Sequence, residues 1–246
     1  MAQLLEWDKT GEHVFETGVD HCVLYDTIVT DESTKADYYA TNGVAWSGIT
    51  GVNENPSGAD FTKLYADNIK YLNLQSAEEF GATIEAYTYP DEWAACDGSA
   101  NYGAQAGVML GQQKRKMFGL CYRTKVGNDS EGQDAGYKLH LIYGCQAAVS
   151  GRQYQTVNES PSAITFSWEI QTTPVNVPKI TGSDVEYNAT SIMTIDSTRF
   201  TTDQGKTNLA ALEAILYGTK GTTSTDDVPA KLPTPAKVMA ILNATS

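Results

Sequence analysis

The sequence predicts a mainly β protein. Short runs of alternating apolar and polar side chains recur along the chain, and Gly, Pro, Asn and Asp separate them, which is the pattern of strands and turns. The clearest run is 162–175, in which Phe166, Trp168 and Ile170 alternate with polar residues. A chain of 246 residues can also bury a sizeable core without disulfides. These observations favour one large β domain.

Two helical patterns follow the β pattern near the C-terminal end. Residues 208–218 place apolar side chains on one stripe, with Asn208 as a capping residue at the start. Residues 235–242 follow a threonine and begin with a proline, which suits the first position of a helix. We therefore predict a β domain over 1–175 and a C-terminal extension over 176–246 with two short helices.

The expected strands follow one another with turn residues between them. In chain order they are 13–26, 43–52, 59–74, 81–89, 115–126, 137–149, 162–175 and 191–200. The region 43–74 is predicted to form one long hairpin, with the Asn-, Pro- and Gly-rich segment 53–58 at its tip. A short helix is expected at 90–98, with a glycine past its end. On the first strand, alternation predicts that Val19 and Val23 share a face.

The strand predicted at 81–89 has two unlike faces. Ala82 and Ile84 point to one side, while Thr83 and Glu85 point to the other, because side chains alternate along a strand. The small, apolar face suits packing inside the subunit. The polar face, which carries the carboxylate, suits a sheet that lines something or is covered by a neighbour.

The charge of the chain limits its partners. Lys and Arg total 17 and Asp and Glu total 30, so the net charge is −13 and the isoelectric point is about 4.6. A protein that grips nucleic acid needs clustered basic residues, so this balance argues against such a function. It is compatible with a conduit for DNA, because an acidic wall repels phosphate.

The cysteines and the N-terminal residues indicate a protein made in a reducing compartment. The cysteines contain no CxxC pair, so a zinc site is not expected. Cys121 and Cys145 lie inside apolar strand patterns and are predicted to be buried free thiols. Residues 1–10 lack the basic and apolar regions of a signal peptide, and the sequence has no apolar run long enough to span a membrane. Cytoplasmic synthesis without membrane insertion is therefore expected.

Catalytic patterns are weak, and no enzyme, metal or cofactor is predicted. His13 and His21 share strand parity, but no third ligand stands at a suitable spacing, so exposed strand residues are the simpler interpretation. Neither a GxSxG elbow nor a phosphate-binding loop occurs. Glu85 and Glu169 could form a glycosidase-like carboxylate pair, since both lie in the middle of predicted strands. Their Thr, Ser and Gln neighbours favour a polar β surface instead.

Several long stretches, in the same order along the chain, resemble the major tail protein of long-tailed, siphovirus-type bacteriophages. They are LLEWDKTGEHVFETGVDHCVLY, NGVAWSGITGVNENPSGAD, LYADNIKYLNLQSAEEFGATIEAYTYPDEW, GQQKRKMFGLCYRT, GYKLHLIYGC, SPSAITFSWEIQTTPV, TIDSTRF, LAALEAILYG and KLPTPAKVMAIL. The resemblance covers most of the chain. Residues 27–40 and 99–110 show no firm pattern of this kind.

The resemblance implies a tail-tube-type fold, a β-sandwich or half-barrel flanked by a short helix. It also implies a structural virion protein whose hexameric rings stack into a hollow tail tube that conducts DNA into the host. The implied partners are further copies of the chain, the tape measure protein inside the tube, the tail terminator and the tail-tip proteins, with DNA passing only transiently. The tube would be assembled in the host cytoplasm and end in the virion. A tail-associated module that binds carbohydrate or the host surface is the alternative.

Within a tube, particular residues can be assigned. The candidate lumen-lining acids are Glu54, Asp60, Asp67, Glu85 and Glu169. The candidate ring-stacking loop consists of Asn53, Glu54, Asn55, Pro56, Ser57 and Gly58. The 27–40 segment and the residues after Pro174 are further candidates for stacking. Joining sheets between subunits would use strand edges that otherwise invite uncontrolled aggregation.

Overall fold

The computed structural model describes residues 7–103, 107–157, 163–179, 185–222 and 226–244. The strands are β1 (Phe15–Ile28), β2 (Tyr38–Ala45), β3 (Ile49–Glu54), β4 (Ser57–Gly58), β5 (Phe61–Ala66), β6 (Ile69–Gln75), β7 (Glu78–Glu79), β8 (Gly81–Ala86), β9 (Ala100–Asn101), β10 (Met109–Leu110), β11 (Phe118–Asn128), β12 (Gly132–Ala147), β13 (Phe166–Thr172), β14 (Ile192–Asp196) and β15 (Leu232–Pro233). The helices are α1 (Glu32–Lys35), α2 (Trp93–Asp97), α3 (Asp203–Tyr217) and α4 (Pro235–Leu242), with a 3₁₀ turn at Ser197–Arg199. The mainly β class with a few short helices is confirmed.

One antiparallel sheet organises the described part of the chain. Its nine strands follow the order β15-β2-β1-β11-β12-β13-β8-β3, with β14 also paired to β12. β12 is long enough to hold three neighbours, since β14 pairs with its middle residues and β13 with its last residues. The end of the sheet formed by β13, β8 and β3 therefore folds over the part formed by β1 and β11, and β3 contacts β1. The result is a strongly curled sheet that resembles a half-closed barrel.

Aromatic side chains fill the interior of the curled sheet. Trp46, Trp93 and Trp168 meet there, with ring centroids between 4.6 and 5.6 Å apart. All three are almost fully buried, and Phe118 stands edge-on to Trp93 at 5.1 Å. Trp93 reaches this core from α2, which contacts β1 and β12. That helix confirms the predicted short helix, which ends at a glycine in the left-handed region.

A second core lies on the outer face of β1, β2, β11 and β12. The C-terminal helices cover this face, and Leu212, Leu216 and Val238 are fully buried against it. The Tyr25 hydroxyl donates to the Leu216 carbonyl oxygen at 2.7 Å, which ties α3 to the sheet. β14 and β15 pair with β12 and β2, so this part of the chain is packed on the β domain. The division at residue 175 stays a prediction.

Both C-terminal helices are confirmed, but the predicted start of the first is wrong. α3 begins five residues earlier, at Asp203, and the Thr202 side chain caps it by accepting from the Gly205 N–H at 3.1 Å. Asn208 is a buried residue inside the helix. Its amide donates to the carbonyl oxygens of Leu242 and Ala244, so it joins α3 to the end of α4.

The predicted hairpin tip at 53–58 is also wrong. β3 pairs with β8, β4 with β7 and β5 with β6, so a single hairpin runs from residue 49 to residue 86. Its tip is the pair Asp67 and Asn68, whose φ angles of 51° and 62° form the left-handed two-residue turn that suits the twist of a hairpin. The segment 53–58 is an irregular part of one arm of this hairpin. Pro56 lies in it and has no backbone N–H to donate to the ladder.

β1 does not keep the single face that alternation predicts. Its pairing with β11 shifts register between Thr17 and Val19 and again between Asp20 and Val23. His21 occupies the left-handed region with φ of 49° inside the second irregularity. Val19 therefore packs against the interior core, whereas Val23 belongs to the core under the helices.

Candidate assembly interface

The outer half of the long hairpin carries an apolar face that no described element covers. We call residues 57–79 the hairpin arm. Leu64 pairs with Leu72, Thr62 with Leu74 and Ala66 with Ile69, and paired residues point to the same side of a ladder. Of the four large apolar side chains on this face, Leu72 is the least exposed at 36% and Ile69 the most at 65%. A contiguous exposed apolar surface of this kind is typical of an interaction site.

The other face of the arm combines basic and aromatic side chains, since the exposed Phe61 and Tyr65 lie on it with the lysines. Lys63 pairs with Asn73, and Tyr65 pairs with Lys70, so both lysines lie on the face opposite the leucines. A register shift after Leu64 leaves Tyr71 as the extra residue of the ladder, which preserves the separation of the two faces. The arm is therefore a two-stranded ribbon with one aliphatic face and one face that carries its lysines.

A second candidate surface is the outer face of β3, β8 and β13, which we call the carboxylate face. Glu85 pairs with Gly51 on one side and with Ser167 on the other, and Glu169 pairs with Thr83. All of these residues are exposed or half-buried. The alternate residues Ile84, Trp168 and Ile170 are buried in the interior core, which confirms the unlike faces predicted for 81–89.

The structure separates the five acids that the sequence groups as lumen candidates. Glu85 and Glu169 share the carboxylate face. Asp60 lies just before β5, and Asp67 is at the tip of the arm. Glu54 lies on the other side of the sheet, since it pairs with the buried Ala82. The assignment of any of them to a lumen stays a prediction.

Glu54 belongs to a polar cluster at one end of the curled sheet. The Tyr122 hydroxyl donates to its carboxylate at 2.5 Å, and the Tyr122 ring stacks on His140 with centroids 4.6 Å apart. Burial and this hydrogen bond raise the pKa of Tyr122. Thr124 Oγ1 lies 3.0 Å from His140 Nε2, and Glu54 Oε1 lies 3.6 Å from the buried Nδ1. The cluster anchors the root of the hairpin to β11 and β12.

Acid should weaken the fold through His140. Burial lowers the pKa of this side chain below its ordinary value, although Glu54 and Glu16 oppose the shift and Lys138 adds to it. As pH falls through about 6.5, the unfolded chain binds a proton at this position that the folded chain does not bind. The free energy of unfolding should then drop by at most about 1.4 kcal/mol per pH unit from this group.

The measurement is urea unfolding at several pH values between about 7.5 and 5 for the natural chain and His140→Gln. We expect a shallower decline of unfolding free energy in the variant over this range. Gln146→Ala is the control, because it changes an exposed side chain of the same strand that does not titrate, so the slope should stay close to that of the natural chain. Equal slopes for the natural chain and His140→Gln would contradict the interpretation.

The cysteines are structural in character. Cys121 and Cys145 are buried free thiols, as predicted, and Cys22 and Cys96 are buried as well. Burial raises the pKa of all four thiols, that of Cys96 to about 12. The thiolate, which is the nucleophilic form, is therefore scarce near neutral pH.

Comparison of the sequence with protein-family models and with curated proteins gives no match. Within the described ranges, no group of three or more His, Cys, Asp or Glu side chains is arranged to hold a metal ion. None of the helices in that part of the chain has the length and apolar character needed to cross a membrane. The function is therefore inferred from the two surfaces described above.

Proposed function

We propose that this chain is the subunit of a bacteriophage tail tube, in which hexameric rings stack into a hollow conduit for DNA. The observation that carries the proposal is the exposed apolar face of the hairpin arm. Side chains such as Leu72 and Leu74 gain free energy when a partner removes them from water, at about 25 cal/mol per Å² of apolar surface. A projecting apolar ribbon on a soluble β domain suits a subunit that is completed by its neighbours.

The carboxylate face supports the same proposal. The helices pack on β1, β2, β11 and β12, whereas the outer face of β3, β8 and β13 carries polar side chains with Glu85 near its centre. Repeated around a ring, this face would give the bore a negative wall. Such a wall repels phosphate and lets DNA pass without adhering.

The partners follow from this assignment. Each subunit would contact further copies of the chain in its own ring and in adjacent rings. The tape measure protein would occupy the bore during assembly, and the tail terminator and tail-tip proteins would close the two ends. Ring closure requires a heterologous contact, in which different surfaces of the same chain meet.

Electron microscopy of the purified chain tests the proposal. Hollow tubes or six-fold rings are expected at raised protein concentration, because assembly is driven by mass action. A persistent monomer, particularly one that binds carbohydrate, would overturn the proposal and favour a recognition module.

Glu85→Lys should leave tubes intact and slow the passage of DNA. The substitution places a positive charge on the carboxylate face in every subunit, and phosphate would then be attracted to the bore. The measurement is the rate of DNA release from virions that carry the variant. Glu131→Lys is the control, because this exposed residue lies in the turn between β11 and β12 and brings the same charge change. Release at the natural rate from Glu85→Lys virions would contradict the assignment of this face to the bore.

A further inference from the structure

The basic face of the hairpin arm has no acidic partner in its own subunit. Residues 61–75 contain two lysines and one aspartate, which gives +1 in a chain whose net charge is −13. Neither Lys63 nor Lys70 forms an ion pair with any residue in the part of the chain that the structure describes. The outer ladder of the arm, 61–75, is therefore locally basic, while the acids Asp60, Glu78 and Glu79 lie nearer the root of the arm.

A cleft at the root of the same hairpin has the opposite character. It has a volume of about 580 Å³ and lies between β4, β7 and the end of β13. The carboxylates of Glu79 and Glu169 line it, together with polar groups that include Asn55, Gln171 and Thr172. Among the described residues, neither carboxylate has a hydrogen bond or an ion pair from a basic side chain. The cleft thus offers acidic groups and amide and hydroxyl groups without a basic partner.

We infer that the root cleft of one subunit receives the basic face of the hairpin arm of a second copy, with Lys63 and Lys70 opposite Glu79. This inference rests on the proposed function, because it needs copies of the chain to be in contact. It adds which surfaces meet and by what chemistry. It also gives the two faces of the arm different tasks, since charge attraction would set the partner and its register while the apolar face supplies buried area.

The lysines of the arm cannot reach the root cleft of their own subunit. Ser57 and Glu79 are paired at the root, and Lys63 lies six residues further along the chain, in β5. Six residues of extended strand span on the order of 20 Å, which is well beyond the 4 Å or so of an ion pair. Folding the arm back would break the β5–β6 ladder. The lysines of this arm can therefore reach a root cleft only on a second copy of the chain.

Charge reversal in the assembling chain tests this contact, with the pelleted fraction in ultracentrifugation as the readout. Glu79→Lys should raise the protein concentration needed for assembly by about tenfold or more, since it replaces attraction by repulsion in a partly enclosed cleft. Combining Glu79→Lys with Lys63→Glu, or with Lys70→Glu, should restore assembly to within about threefold in at least one pairing. Glu78→Lys is the matched control, because it adds the same charge one residue away, outside the residues that line the cleft.

Each outcome bears on the inference. Restoration by a reversed pair, with a small effect of Glu78→Lys, supports it. If the natural chain assembles but neither pairing restores Glu79→Lys, or if Glu78→Lys is as harmful as Glu79→Lys, the inference fails while the proposed function stands. If the natural chain forms neither rings nor tubes, both fail.

Discussion

Leu72→Asp is expected to abolish assembly while the subunit stays folded. Leu72 lies opposite Leu64 on the apolar face of the hairpin arm, and more than a third of it is exposed in the isolated subunit. A carboxylate there costs little in the monomer, because water still reaches it. In an interface it would be buried without a partner, which costs at least about 2 kcal/mol per contact, or roughly thirtyfold in assembly concentration.

The measurement is sedimentation of purified protein across a concentration series, with circular dichroism to confirm folding. Gln133→Glu is the matched control, because it adds the same charge at an exposed residue of β12, outside the hairpin arm. Gln133→Glu should assemble at close to the natural concentration. Normal assembly of Leu72→Asp, or an equal defect in both variants, would show that the apolar face is not the contact surface.

Trp168→Ala should lower the free energy of unfolding by about 3–5 kcal/mol, a large part of the stability of a typical domain. Its ring lies 5.6 Å from Trp46 and 5.5 Å from Trp93, measured between centroids, and it is 1% exposed. The truncation leaves a cavity between the two ends of the curled sheet. Because β13 is the strand that brings β8 over β12, loss of this packing should loosen the closure of the whole sheet.

Urea unfolding measures this effect, and Leu72→Asp is the suitable background because it keeps assembly from adding to the apparent stability. Glu169→Ala is the control on the same strand. It removes an exposed side chain next to Trp168 and should change the free energy of unfolding by no more than about 0.5 kcal/mol. A loss below about 1 kcal/mol for Trp168→Ala would contradict the role given to the tryptophan core.

Alternation allowed the sequence to predict the strands of the curled sheet but not their irregularities. Trp168 and Ile170 are buried as predicted because β13 is a regular strand with one face on the core. Val19 and Val23 fall in different cores because each register shift in β1 reverses which side the next residues face. A register shift of this kind depends on the partner strand, and it leaves little trace in the local pattern.

The hairpin tip shows how competing turn signals mislead. The segment 53–58 combines Asn, Pro and Gly, which is strong turn chemistry. The actual turn is the weaker-looking pair Asp67 and Asn68, two residues that tolerate the left-handed conformation. The choice between them depends on pairing across the whole hairpin, from Glu54 with Ala82 to Ala66 with Ile69.

The candidate interface was only partly accessible to sequence reasoning. Alternation places Glu85 on a polar face, and the structure keeps it there. The sequence does not predict that the apolar face of the arm is exposed, because periodicity indicates which residues share a face and not whether a neighbour covers it. Leu64 and Leu72 have the pattern of core residues, and only the three-dimensional arrangement leaves them exposed.

An electron cryomicroscopy map of the assembled chain tests the central claim most directly. We predict a hollow tube of stacked six-fold rings, with the Glu85 side chain facing the bore and the apolar face of each hairpin arm buried against another subunit. A filament without a bore, or a tube that places Glu85 on its outer surface and leaves Leu72 exposed to solvent, would contradict the proposed function.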